Sequence, residues 1–162
     1  MQPLLVLQLL VLLAVANGTP VAAKRVLGDM LAGPLDGGMT FNDGRPLFGL
    51  AKTIRGIVLS LLATPIAAAL IGLPWQLGAV VAGAAMAGDL LSSFVKRRMG
   101  LAPSSKATGL DQIPEALLPL MASRLVVAVT FADIVAGTII FFVGGIILSR
   151  ILFALRLRDQ PY

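Results

Sequence analysis

The chain alternates long apolar runs with two polar segments, and this pattern predicts an all-α polytopic membrane protein. The apolar runs cover approximately residues 3–23, 55–73, 76–95, 114–129 and 132–155. Most of them are close to the roughly 20 residues that a helix needs to cross a bilayer. Arg124 and Asp133 interrupt the last apolar stretch, which is too long for one span, so we divide it into two. We therefore expect a single membrane domain, residues 1–162, with about five transmembrane helices.

The two polar segments, approximately 24–54 and 96–113, carry most of the charge and predict the orientation. With five spans, both segments and the C-terminus lie on one side of the membrane, and nearly all Lys and Arg residues lie there too. Positively charged loops favour the cytoplasmic side. We therefore expect a multi-pass protein of the cell membrane, with its N-terminus outside and its active site facing the cytoplasm.

The composition narrows the chemistry that such a protein could perform. Hydrophobic residues make up 57% of the chain, charged residues make up 13%, and Cys and His are absent. Disulfides, thiol nucleophiles, histidine bases and His/Cys metal sites are thereby excluded. Any metal would need oxygen ligands, which favours Mg²⁺ or Mn²⁺ over zinc. The net charge of +5 is explained by loop cations that meet anionic lipid or substrate, so we expect no nucleic-acid partner.

Asp89 is the most informative single residue, because it lies inside the third apolar run and three cations, Lys96 to Arg98, follow it. A carboxylate at membrane depth is costly and is usually kept for an ion, a proton or a substrate. Helical spacing places Asp89, Ser92, Ser93 and Lys96 on one face. Together with Asp111 in the second polar segment, this face predicts a site for a metal ion and a phosphate. The alternative is a cluster of cations at the membrane surface with Asp89 neutralised by a neighbour seven residues away, which explains the cations easily and Asp89 poorly.

The first polar segment offers a second set of polar groups. It is rich in glycine and contains the acids Asp36 and Asp43 and the cations Arg45, Lys52 and Arg55. Glycines let backbone amides approach an anion closely, and Lys52 with Arg55 could clamp a phosphate at the start of the second span. A solvated, turn-rich loop with cationic membrane anchors explains the same composition, and both interpretations stay open.

The first apolar run contains the sequence Asn17-Gly18-Thr19-Pro20. We expect a helix break at this point, which would free backbone groups at membrane depth. Such groups are tolerated where they line a protein cavity. The alternative is a proline kink beside an Asn17 side chain that is satisfied within the protein.

These motifs together resemble the CDP-archaeol synthase family, which is distantly related to phosphatidate cytidylyltransferase. Ser92, Val95, Lys96 and Arg97 also match the start of the wider cytidylyltransferase signature, and Asp111 matches its later Asp. The segments that carry the resemblance are 16–21, 34–38, 43–49, 52–56, 88–100 and 110–112.

The resemblance implies a reaction in which a lipid phosphate monoester attacks the α-phosphorus of CTP, releases pyrophosphate and yields a CDP-activated lipid. It implies Mg²⁺ as cofactor, with Asp89 and Asp111 as ligands, Asp36 and Asp43 as further candidate ligands, and Lys96 as a catalytic cation. The acceptor could be an isoprenoid ether or a diacyl glycerol phosphate. The expected substrate-binding residues are Asn17, Thr19, Arg45, Lys52, Arg55, Ser92 and Arg97.

Two other functions fit parts of the pattern. A small membrane transporter or channel subunit would use Asp89 as an ion or proton site and would need a polar path through several spans. The second span offers only Ser60 and Thr64, and the ionisable groups gather on one side of the membrane, which favours chemistry at the membrane surface. A scaffold protein would leave Asp89 unexplained.

Overall fold

The computed structural model describes residues 1–102, 107 and 109–154, with residues 151–154 described by their backbone alone. Over these residues the chain forms five α-helices, one short 3-10 helix and no β-strand, which confirms the all-α prediction. The elements are α1 Pro3–Leu27, α2 Ile54–Leu70, α3 Trp75–Arg98, α4 Gln112–Ala122, the 3-10 helix Ser123–Leu125 and α5 Phe131–Ala154.

Three of these helices, α1, α3 and α5, are long and apolar enough to cross a membrane. Helix α2 is apolar but has 17 residues. Helix α4 has 11 residues, so it is about 16 Å long, against the roughly 30 Å of a bilayer core. Where the sequence predicted a span over 114–129, the structure has this short helix and the 3-10 turn. The five-span count and the orientation therefore stay predictions.

The core lies where α1, α3 and α4 meet. Leu9, Leu12 and Leu13 of α1 are fully buried, as is Leu77 of α3, and they pack in one cluster with Leu120 of α4. The outward faces of the helices remain apolar, with Ile139, Ile140 and Val143 of α5 among the exposed side chains. That is the arrangement expected of a surface that faces lipid.

Glycines in α3 let its two neighbours approach closely. A Cβ on Gly78 would lie 2.5 Å from the Cα of Pro65 in α2, and one on Gly88 would collide with the carbonyl oxygen of Pro114. Small residues permit such backbone contacts between membrane helices. The approach at Gly88 brings the start of α4 against α3 beside Asp89.

The predicted helix break at Asn17 to Pro20 is wrong, because α1 runs unbroken from Pro3 to Leu27 with Pro20 inside it. Proline lacks the amide that would bond to the carbonyl four residues earlier, which is that of Ala16. The hydroxyl of Ser60 in α2 donates a hydrogen bond to this carbonyl at 2.8 Å. A neighbouring helix thus supplies the donor that the proline removes, and the helix continues.

Candidate active site

The two polar segments meet at the C-terminal end of α3. In the first segment, Leu35 N donates to Lys52 O at 2.7 Å and Ile54 N donates to Gly33 O at 3.3 Å. These bonds place Lys52 just before α2, whose first turn is capped by the hydroxyl of Thr53. The lysine is therefore held on a short, backbone-bonded stretch facing α3.

Lys52 pairs with Asp89. Its Nζ lies 2.5 Å from Oδ1 and 2.6 Å from Oδ2 of the aspartate. Both side chains are partly buried, with 23% of each exposed. Two residues that the sequence analysis selected from separate segments are thus in direct contact.

Glu115, in the first turn of α4, is a site residue that the sequence analysis missed. Its side chain is hydrogen-bonded to that of Asp89, and Lys52 and Asp111 lie close enough to act on its charge. Two carboxyl groups lie side by side stably only with a proton or a cation between them. In the sequence, residues 114–129 form an apolar run, and the acid near its start does not stand out from it.

Lys96 pairs with Asp111 in a second contact of the same kind. Nζ of Lys96 lies 2.7 Å from Oδ1 of Asp111, and Oδ2 of Asp111 accepts a hydrogen bond from Ala107 N at 3.2 Å. Lys96 is buried, as are Ser92 and Ser93 on the same face of α3. The hydroxyl of Ser92 donates within its own helix, to the carbonyl of Asp89 at 2.9 Å.

Arg97 is buried with part of its guanidinium unsatisfied. The side chain is 3% exposed, and Nη2 donates to Ala102 O at 2.9 Å. Nε and Nη1 are buried and have no hydrogen-bond partner among the residues described. Leaving buried donors of a charged group unpaired is costly. An anionic ligand such as a phosphate would satisfy them, since guanidinium matches its oxygens in pairs.

Asp36 organises the first polar segment. Oδ2 accepts hydrogen bonds from Phe48 N at 2.9 Å and Gly49 N at 3.3 Å, and Oδ1 accepts one from Gly38 N at 3.0 Å. Burial alone would raise the pKa of Asp36, but these amide donors together hold the pKa below its usual value. Its oxygens thus serve the fold of the loop.

Asp43, Arg45 and Arg55 also contact the protein itself. Asp43 pairs with Arg98, and Arg45 Nη1 donates to the carbonyl of Arg98 at 2.5 Å. Arg55 Nη1 donates to Gly28 O at 3.1 Å and to Met30 O, which ties the start of α2 to the turn after α1. The structure gives each of these predicted site residues a structural partner.

Asn17 and Thr19 lie on α1, whereas the charged groups described above lie on α3, at the start of α4 and in the two polar segments. The Nδ2 of Asn17 is buried without a hydrogen-bond partner in the described part of the chain, whereas the Thr19 hydroxyl donates to Val15 O at 2.6 Å. Ala16 packs against Ala85 of α3, one turn before Asp89. Thr19 also lines an apolar groove of about 430 Å³ between α1 and α2.

The donor set fits Mg²⁺ in a complex with a nucleotide. Within the described ranges, no three acidic residues come close enough to form a metal site by themselves. Asp89 and Glu115 do contact each other, and Lys52 already places a positive charge against both oxygens of Asp89. Mg²⁺ usually takes one or two carboxylates, together with phosphate oxygens and waters. The Asp89–Glu115 pair meets that requirement.

Comparisons with known proteins point to one family. The sequence profile of CarS-like CDP-archaeol synthase matches residues 74–162. The chain is 38% identical over 133 residues to the CDP-archaeol synthase of Hyperthermus butylicus, covering 74% of this chain and 76% of that one. It is 30% identical over 156 residues to the CDP-archaeol synthase of Sulfurisphaera tokodaii, covering 91% and 89% of the two chains.

A solved structure has the same fold. It is described as an intramembrane enzyme for archaeal membrane lipids biosynthesis, is 30% identical to this chain, and superposes with a TM-score of 0.68. The match covers 85% of this chain and 90% of the other. The match therefore extends over most of both chains.

Proposed function

The chain belongs to the CDP-archaeol synthase family and is a membrane cytidylyltransferase that forms a CDP-activated lipid; we propose that it transfers CMP from CTP to an isoprenoid ether lipid phosphate, with Mg²⁺ bound at Asp89 and Glu115. The observation that carries the proposal is the contact of Asp89 with both Lys52 and Glu115. The names of the relatives support the choice of an isoprenoid ether acceptor over a diacyl one.

The reaction needs no protein nucleophile. An oxygen of the lipid phosphate forms a bond to the α-phosphorus of CTP, the bond from that phosphorus to the bridging oxygen breaks, and pyrophosphate leaves. The protein contributes position and charge. Arg97, with its unpaired buried donors, binds phosphate oxygens, and Lys96 and Lys52, which pair with Asp111 and Asp89, add further positive charge to the site.

Asp89 and Glu115 hold the metal in this proposal, with Asp111 as the third carboxylate nearby. A bound Mg²⁺ neutralises negative charge on the nucleotide phosphates. A metal held at Asp89 would balance the charge of this aspartate, and Lys52, which pairs with Asp89 here, would then be able to contact a phosphate oxygen. Asp36 and Asp43 receive no metal role, since backbone amides occupy the first and Arg98 the second.

The lipid approaches from the membrane side. The apolar groove between α1 and α2 accommodates an isoprenoid chain, with Thr19 on its wall. The buried Asn17 amide, which has no partner in the part of the chain that is described, is available to a polar group of the acceptor. The cationic polar segments face the cytoplasm in this proposal, where CTP is found.

The transporter alternative needs a polar path through several helices, and α2 offers little toward one. Its two hydroxyl groups donate hydrogen bonds within the protein, from Ser60 to Ala16 O and from Thr64 to Ser60 O at 2.9 Å. Beyond its first turn, α2 has no ionisable side chain that could bind an ion crossing the membrane.

The test is pyrophosphate release from CTP by the purified protein in detergent, with isoprenoid ether and diacyl glycerol phosphates offered separately. We expect release with the isoprenoid ether acceptor, loss on chelation of the metal and recovery on addition of Mg²⁺. Release with the diacyl acceptor alone would refute the proposed lipid, and release that survives chelation would refute the metal. No release with any acceptor from folded protein would refute the proposed reaction.

A further inference from the structure

Arg98 ends α3 and binds the first polar segment with the two terminal nitrogens of its guanidinium group, while its Nε is buried without a hydrogen-bond partner among the described residues. Nη1 pairs with Oδ1 of Asp43, and Nη2 donates to Pro46 O at 2.6 Å and to Arg45 O at 3.2 Å. These three acceptors lie within one turn of the loop. A single side chain of α3 thus holds the loop at several points.

Two aromatic rings enclose the same guanidinium group. Its Cζ lies 4.8 Å from the ring centroid of Phe41, in the loop, and 5.1 Å from that of Phe94, in α3. The two rings meet edge to face, with centroids 5.4 Å apart. A cation over an aromatic face is attracted by the ring quadrupole, so this stack adds to the hydrogen bonds.

Arg45 makes the reciprocal contact from the loop to the helix. Its Nη1 donates to the carbonyls of Arg98 at 2.5 Å and Arg97 at 3.4 Å. The last carbonyls of a helix have no partner inside the helix and favour a cation. We call the five residues Phe41, Asp43, Arg45, Phe94 and Arg98 the arginine clasp.

A series of hydrogen bonds, made by the backbone and by the Asp36 carboxylate, connects the clasp to the site. Phe41 N donates to Arg45 O at 2.8 Å, and Leu47 N donates to Met39 O at 2.9 Å, which closes the loop next to the clasp. Asp36 then binds the amides of the two residues after Leu47. The stretch from the clasp to residue 49 is therefore held as one piece.

The last step of the series reaches Lys52. Lys52 N donates to Gly49 O at 3.2 Å, and Lys52 O accepts from Leu35 N at 2.7 Å. The backbone of Lys52 is thus fixed to the piece that the clasp holds, and its Nζ meets Asp89. Asp89 and Arg98 lie on the same helix, so the clasp and the ion pair attach one loop to α3 at two places.

We propose that the arginine clasp positions Lys52 for the reaction, with Arg98 as the positioning residue, an inference that rests on the role proposed above for Lys52. The clasp sets where the loop lies along α3, and Asp36 transmits that position to Lys52. An error of about 1 Å at a group that stabilises the transition state can reduce the rate on the order of 100-fold. Of the three consecutive cations, Lys96 and Arg97 therefore serve the substrate and Arg98 serves the loop.

The test compares Arg98→Lys and Asp43→Asn with the wild type in two measurements on each protein. Hydrogen exchange reports the protection of the amides of Phe48 and Gly49, and pyrophosphate release gives kcat and KM for CTP. Lysine keeps the charge of Arg98 but cannot make the forked bonds or the same stack. Arg124→Lys is the matched control, because Arg124 is exposed outside the clasp.

We expect Arg98→Lys to lower the protection of both amides and to reduce kcat/KM by roughly 10-fold, with a smaller loss of both in Asp43→Asn and none in Arg124→Lys. Activity lost with protection unchanged would overturn the inference, because Arg98 would then act on the substrate directly. Protection lost at full activity would overturn it as well. Absence of pyrophosphate release in the wild type would instead refute the proposed reaction.

A double-mutant cycle with Lys52→Met adds a second test where that variant retains measurable activity. If Arg98 acts through Lys52, Arg98→Lys reduces kcat/KM less than about 2-fold further in the Lys52→Met background. An equal reduction in both backgrounds would show that Arg98 acts independently of Lys52 and would overturn the inference.

Discussion

The helix bundle holds a buried or partly buried carboxylate at each end, and the two have different kinds of partner. Asp133, near the N-termini of α1 and α5, accepts from Gln2 N at 2.8 Å, Thr130 N at 3.1 Å and the Thr130 hydroxyl at 2.6 Å. Its own amide donates back to the Thr130 hydroxyl at 3.2 Å. Asp89, at the other end, meets the flexible cation of Lys52 and the acid Glu115.

The difference separates a structural acid from a functional one. The donors around Asp133 belong to the backbone and to a helix cap, so they stay with it as long as the protein is folded. The partner of Asp89 is a long side chain on a loop, which can exchange one anion for another. Asp36 resembles Asp133, because its donors are backbone amides, although it lies in the same polar segment as Lys52.

The largest expected effect is the loss of activity in Asp89→Asn. The amide keeps the size of the side chain but removes the charge that a metal and Lys52 need, so we expect pyrophosphate release to fall at least about 100-fold. The matched control is Asp133→Asn, which we expect to stay active per folded molecule. Equal activity losses in the two variants would contradict the distinction between the two ends.

Next in size is the effect of Glu115→Gln. Loss of one carboxylate from the pair should weaken metal binding about 10- to 100-fold, measured as the Mn²⁺ concentration that half-saturates the protein in the presence of a non-reactive CTP analogue. Glu115→Asp keeps the charge and is expected to retain part of the affinity. Unchanged metal affinity in Glu115→Gln would remove this residue from the metal site.

A smaller effect on stability is expected for Asp133→Ala. The variant loses the carboxylate that binds the amide and hydroxyl of Thr130 and the amide of Gln2, so its melting temperature in detergent should fall by a few degrees. Its kcat should equal that of the wild type below the melting temperature. A large loss of kcat in folded protein would mean that this end of the bundle also takes part in the reaction.

The smallest expected effect is a pH dependence of the melting temperature, caused by the ionisation of Asp36. Its pKa in the folded protein is held below the ordinary value of 3.8, so its ionised form is favoured by folding. This stabilisation is complete well above the ordinary value and is lost as the pH falls through the lower pKa of the folded state. Asp36→Asn should therefore melt a few degrees below the wild type at neutral pH, and the difference should narrow below about pH 4.

The exposed Asp29 provides the control for that comparison, because Asp29→Asn removes an acid of the same segment without the three amide bonds. The measurement is the melting temperature of each variant and of the wild type at several pH values between neutral and acid. A constant difference between Asp36→Asn and the wild type over the whole range would show that the charge of Asp36 does not contribute.

Much of the candidate site could be predicted because helical periodicity is a local property. The spacing of Ser92, Ser93 and Lys96 placed them on one face, and the structure buries all three. The acid in an apolar run marked Asp89 without any knowledge of its partners. Glu115 was missed because its significance comes from its contact with Asp89, and that contact depends on how closely α4 approaches Gly88.

The predicted roles of Arg45, Arg55 and Asp43 show the same limit. Their residue types fit phosphate and metal binding, but backbone carbonyls and Arg98 are the partners that the fold brings to them. The predicted break at Pro20 failed for a similar reason, since Ser60 on another helix replaces the missing hydrogen bond. A carbonyl freed by proline breaks a helix only where no other donor reaches it.

Composition, motifs and periodicity can be read along the chain, so they suffice to predict the class of protein, the family and the polar face of α3. The pairing of cations with acids follows from the folded structure alone: Lys52 with Asp89, Lys96 with Asp111 and Arg98 with Asp43. The lysines and arginines of the two polar segments are chemically similar, so their pairing depends on where the folded loops place each backbone relative to α3. That placement results from glycine-mediated helix contacts and from the hydrogen bonds of Asp36, which link residues far apart in the chain.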